Sequence, residues 1–142
     1  MPEDVKKIYD EAKDIVSKSS RASAALLRTA VIVLVDKVIG PNKNSLNHNI
    51  GTLVEQNKLS DQIQKSLDYL RVIGDNELHP GLIQMEEIEE DDFKHAISLF
   101  ELVNLIVEEL VSRPDRINKY YSRLPTGQRE QIENRDKKAG KP

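Results

Sequence analysis

The chain has 142 residues, a formal net charge of −3, no cysteine and no tryptophan. That length suits one domain with a real core, and the missing cysteines exclude disulfides, a thiolate nucleophile and zinc–thiolate sites. No apolar run approaches the ~20 residues of a membrane span, and the opening MPEDVKK lacks a secretory signal, so the expectation is a cytoplasmic protein with no membrane partner.

Residues 3–17 read as a first helix. Val5, Ile8, Tyr9, Ala12, Ile15 and Val16 form its apolar stripe, with acids near its start. Ser17 to Ser20 breaks it, and Ser19 or Ser20 caps the next helix. That helix, about Arg21 to Ile39, is the most apolar segment. Ala30 to Val35 is apolar on all sides, which predicts burial all round. Gly40-Pro41 closes it. Arg28 is its odd residue, a cation beside the greasiest stretch. Either its stem packs while its head reaches water, or it is aimed at a site.

A loop at Asn42 to Asn44 leads to a short third helix with Leu46, Ile50, Leu53 and Val54 as its apolar face and His48 on its surface. Ser60 and Asp61 cap a fourth helix, whose apolar residues Ile63, Leu67 and Leu70 recur at helical spacing. Its last turns carry LRVIGDNELHP, ended by Pro80-Gly81. Gly74 inside it costs roughly 1 kcal/mol relative to Ala. Pro80 to Glu90 reads as a connector, and Glu86 to Asp92 holds six acids in seven residues, a pattern suited to a helix N-terminus. A fifth helix, about Asp91 to Ser112, shows Phe93, Ala96, Ile97, Phe100, Val103, Val107 and Leu110 as a core stripe, with His95 off it and exposed. Arg113-Pro114 is expected to stop it.

Positions 1–112 hold 12 basic and 20 acidic residues, a balance of −8, whereas positions 113–142 hold 9 and 4, a balance of +5. The reading is an acidic body with a basic extension. Ile117 to Leu124 forms a short helix with Tyr120 and Tyr121 packed back, and a flexible polar tail follows from Pro125. The expected fold is all-α, an up-and-down bundle of about five helices over residues 1–112. No phosphate-binding glycine loop, paired-histidine zinc motif or Gly-flanked nucleophile is present, so no cofactor and no metal is expected.

Arg71, Asp75 and His79 fall at i, i+4 and i+8, a ladder of cation, carboxylate and imidazole on one helix face. Two readings of it stand. In one, a histidine takes the proton of a ribose 2′-hydroxyl or gives one to the leaving oxygen. An arginine there stabilises the phosphorane, and an acid orients the imidazole. One copy supplies one histidine, so a two-fold dimer is the natural arrangement. In the other, His79 interacts with the helix dipole and Arg71 pairs with Asp75, with no chemistry at all.

The passage SLNHNIGTLVEQNKLSDQIQKSLDYLRVIGDNELHP, residues 45–80, resembles a bacterial helical family of unknown function. That family occurs alone or fused to restriction-type nuclease and helicase modules. Its pattern is a Leu-x-x-x-Ile-x-x-Leu helix, a turn, then Arg-x-x-Gly-Asn-x-x-x-His. SRASAALLRTA, residues 20–30, is similar to the family's second helix. The family is related to the HEPN superfamily, α-helical bundles that often dimerise and include metal-independent ribonucleases of toxin and antiviral systems. The resemblance therefore implies a homodimer acting on RNA in defence or stress. His79 would be the general acid/base, Arg71 the phosphate stabiliser, Asp75 or Asn76 the orienting group and Arg28 a further binding residue. Two departures bear on catalysis rather than fold. Gly-Asn is Gly74-Asp75 here, with Asn76 one place later, and seven residues separate Arg71 from His79 where active ribonucleases have four to six. The competing class is a non-catalytic module for dimerisation or for binding a protein partner.

Overall fold

The computed structural model describes residues 1–78 and 92–140, with side chains described for 1–73 and 93–140. The described residues are helical and contain no strand. In chain order the elements are α1 (Glu3–Ile15), α2 (Ser20–Ile39), α3 (Leu46–Glu55), α4 (Asp61–Leu78), α5 (Asp92–Val107), a π turn (Glu108–Ser112), α6 (Arg113–Tyr121) and α7 (Thr126–Lys138). They fall into two compact units, Met1–Ser112 and Arg113–Pro142.

The first unit is an α-helical bundle built around α2, which packs against α1, α3, α4 and α5. Its Leu27, Ala30, Val31, Leu34 and Val35 are fully buried, as a helix surrounded by neighbours requires. Ile32 and Val33 are only half-buried, so the burial is broad rather than complete. Ser19 caps α2 as expected, its Oγ accepting from the Ala22 N–H at 3.1 Å. The helix ends at Gly40, whose φ of 109° lies where side chains are strained and whose N–H donates to the Asp36 carbonyl at 2.8 Å.

Helix α1 runs antiparallel to α2 and is pinned at two points. The fully buried Ser23 donates its hydroxyl to the Ala12 carbonyl at 2.8 Å. Toward the other end Lys37 Nζ lies 2.9 Å from Asp4 Oδ2, and this lysine, with the neighbouring backbone N–H groups, holds the Asp4 carboxyl below its ordinary pKa.

At the α2–α3 corner a polar residue takes a core position. Asn49 is 2% exposed, and its Nδ2 donates to Asp36 Oδ1 and Asn42 Oδ1, both at 3.1 Å. Asn42 Oδ1 also accepts from the Asn44 N–H, so this one amide ties the loop to both helices. Val54, expected on the core face, is exposed instead.

The core face of α5 is rotated from the expected stripe. Ala96, Leu99, Phe100, Val103, Ile106 and Val107 are buried, while Phe93 and Ile97 are 49% and 46% exposed. Both sets satisfy a helical period, and the packing partners select between them: Phe100 meets the Tyr9 ring edge-on at 5.2 Å between centroids. His95 is also corrected: it is half-buried and faces α4. The π turn follows α5 and closes the unit. Its Glu109 Oε2 accepts the Ser60 N–H at the start of α4, at 3.3 Å.

In the second unit the expected stop at Arg113-Pro114 does not occur, and Arg113 instead opens α6. Pro114 is the second residue of α6 and does not end it. Tyr120 and Tyr121 are 65% and 42% exposed rather than packed away. The expected flexible tail is helix α7 from Thr126 to Lys138, polar on every side and burying nothing.

Candidate functional site

Helix α4 continues unbroken through Gly74 to Leu78. Arg71 and Asp75 are therefore one helical turn apart, with Asn76 beside them. The side chains of Asp75 and Asn76 lie outside the described residues, and so does His79 entirely.

Arg71 sits in the middle of α4, between Leu70 and Ile73, which are buried in the core. Its side chain is 27% exposed, and its Nε lies 3.5 Å from Asp68 Oδ1, one turn back. That separation makes an ion pair but not a hydrogen bond. Among the described residues Nε is buried with no acceptor. A buried guanidinium N–H without an acceptor costs free energy, and such groups in folded chains call for a reason.

The other arginine singled out from the sequence comes to the same place. Arg28, 43 positions earlier on α2, donates Nε–H to the Arg71 backbone carbonyl at 3.3 Å. The α2–α4 packing brings the two together, since Leu27 and Leu70 beside them are both buried. The Arg28 guanidinium thus reaches the Arg71 backbone where α2 packs on α4. Arginine suits this position because its planar donor fork matches two oxygens of a phosphate or carboxylate.

A second feature lies on a different face of α4. An open groove of about 400 Å³ runs between α4 and α5, lined by Lys65, Ser66, Tyr69, His95, Ser98, Leu99, Glu101 and Leu102. Tyr69 Oη lies 3.1 Å from His95 Nε2 and 3.3 Å from Nδ1, and the imidazole tautomer decides which group donates. Burial pushes the Tyr69 phenol above its ordinary pKa. No sequence signal joined these residues, because they are 26 positions apart and neither belongs to a motif.

Among the described residues no group of three His, Asp or Glu side chains converges as metal ligands, and no helix is long and apolar enough to cross a membrane. No curated protein and no solved structure matches the chain. A family model does, over residues 10–125, spanning α2, α3, α4 and α5. The chain therefore belongs to the family described as Domain of unknown function (DUF4145).

Proposed function

We propose that this domain acts on nucleic acid and that its α2–α4 crossing is a phosphate-holding site for metal-independent RNA cleavage. The observation that carries this reading is the Arg71 Nε, buried without an acceptor among the described residues, on a residue whose backbone carbonyl Arg28 holds. A scissile phosphate supplies anionic oxygens of the kind that guanidinium can take. Arg71 would stabilise the charge that grows on the phosphorane oxygens, and Arg28 would position Arg71 through its backbone. His79 would serve as general acid/base, with Asp75 or Asn76 orienting it.

In that reaction the ribose 2′-hydroxyl gives up its proton and attacks phosphorus. The bond to the 5′-oxygen breaks, and that oxygen leaves with a proton. The products are a 2′,3′-cyclic phosphate and a 5′-hydroxyl. The test is cleavage of structured and single-stranded RNA in EDTA by wild type, His79→Ala and Arg71→Ala. Cyclic-phosphate ends from wild type alone support the reading; equal cleavage by all three, or by none, overturns it.

A second reading is a homodimerising or partner-binding module of a defence or stress system without catalysis. It is favoured by the outer face of α5, where Phe93 and Ile97, one turn apart, are each close to half exposed, an apolar pair of the kind that interfaces cover. A stable dimer that cleaves no RNA would select it.

A further inference from the structure

Helix α6 places its cations and its rings on adjoining faces. Arg113, Arg116 and Lys119 recur every third residue, which keeps them along one side of a helix. Arg123 continues that line, because the Ser122, Arg123 and Leu124 N–H groups donate back to the Asn118, Tyr120 and Tyr121 carbonyls. Tyr120, four residues after Arg116, adjoins these cations and is 65% exposed, while Tyr121, 42% exposed, extends the ring surface further round the helix. The Arg123 guanidinium lies over the Tyr120 ring, 5.8 Å from its centroid. The one acid of α6, Asp115, lies four residues before Lys119 and so borders the cation side at that point.

We infer that α6 with its closing turn is a binding platform for single-stranded nucleic acid, the bases stacking on Tyr120 and Tyr121 while Arg113, Arg116, Lys119 and Arg123 follow the phosphates. Charge complementarity selects this occupant: residues 113–142 carry +5, and four cations of α6 and its turn fall within eleven residues. Flat exposed rings beside those cations supply what a polyanion alone does not need. Single strands bind to such combinations of stacking faces and basic tracks. Helix α7 lacks this character. Its charges are interleaved, as in the Arg135–Asp136 pair at 3.0 Å, and it has no aromatic residue.

The platform is independent of cleavage at the α2–α4 crossing, and its test keeps the two apart. Fluorescence anisotropy of the full chain with a labelled oligouridine should show binding. Four phosphate contacts predict an affinity loss of about fifty-fold between 50 and 200 mM salt. The double variant Tyr120→Leu/Tyr121→Leu should weaken oligouridine about ten-fold or more while leaving heparin, which has no bases, unchanged. Lys119→Ala/Arg123→Ala should weaken both. Truncation after Leu124 should retain the affinity of wild type for oligouridine. α6 contributes nothing to the buried core, so an unchanged helical content by circular dichroism, rather than Tm, checks that these variants keep α6 folded. Absence of oligouridine binding overturns the inference. So does indifference to the tyrosine change, or loss of binding on truncation after Leu124. Preference for poly-glutamate or for phosphatidylserine vesicles over oligouridine would instead assign the face to an acidic protein or a membrane surface.

Discussion

Asn49 shows how one polar side chain can set a corner. Its amide satisfies Asp36 and Asn42 together, in a place where an unpaired acceptor is costly. Asn49→Ala should therefore destabilise the bundle by ~1–3 kcal/mol, read as a lower urea midpoint with an unchanged m-value. The Asp4–Lys37 pair makes a pH-dependent contribution instead. Asp4 has a lowered carboxyl pKa in the folded chain, so the pair's stabilisation is present above the ordinary Asp value of 3.8 and is lost as pH falls through the lower folded value. The Tm difference between wild type and Asp4→Asn should accordingly be seen at neutral pH and disappear in acid. A difference that persists in acid would mean that the pair acts through packing rather than charge.

At the scale of elements, the two glycines that flank the α2–α3 corner should respond in opposite directions. A Cβ at either meets nothing within 4 Å, so space does not distinguish them. The backbone does. Gly40 ends α2 at φ 109°, and Gly40→Ala should cost ~1–3 kcal/mol of backbone strain. Gly51 lies inside α3 with ordinary helical geometry, and Gly51→Ala should stabilise by ~0.5–1 kcal/mol. Thermal unfolding of the two single variants decides both signs in one experiment. The helices themselves were largely legible in the sequence, because serine caps, Gly40 and the 3.6-residue stripes are local signals. The end of α5 was not. Arg113-Pro114 reads as a stop, yet Pro114 lies within α6 without ending it.

For the whole molecule, the distribution of burial has a consequence for truncation. Among the described residues every buried apolar one lies between Val5 and Val107. A chain ending at Ser112 should thus unfold cooperatively with a Tm close to that of the full chain, as followed by circular dichroism. A large drop would show that α6 or α7 supplies stability. Core substitutions within the first unit should act very differently: Leu34→Ala, at a fully buried position of the central helix, should cost ~2–5 kcal/mol through lost contacts and cavity formation. That is a large share of the ~5–15 kcal/mol available to a domain of this kind.

The sequence by itself determined the all-α class, most helix boundaries and the charge division between residues 1–112 and 113–142, since caps, apolar periods and composition are properties of neighbours along the chain. It also singled out Arg28 and Arg71, each for a local reason: one is a cation in an apolar helix, the other a member of a ladder. That they meet was decided only by tertiary structure, because the α2–α4 packing closes a separation of 43 residues. The same holds for the Tyr69–His95 contact and for the face that α5 buries. Either stripe of α5 satisfies a helical period. Which one is inside depends on where Tyr9 and the other core side chains stand, and that information lies in elements distant along the chain.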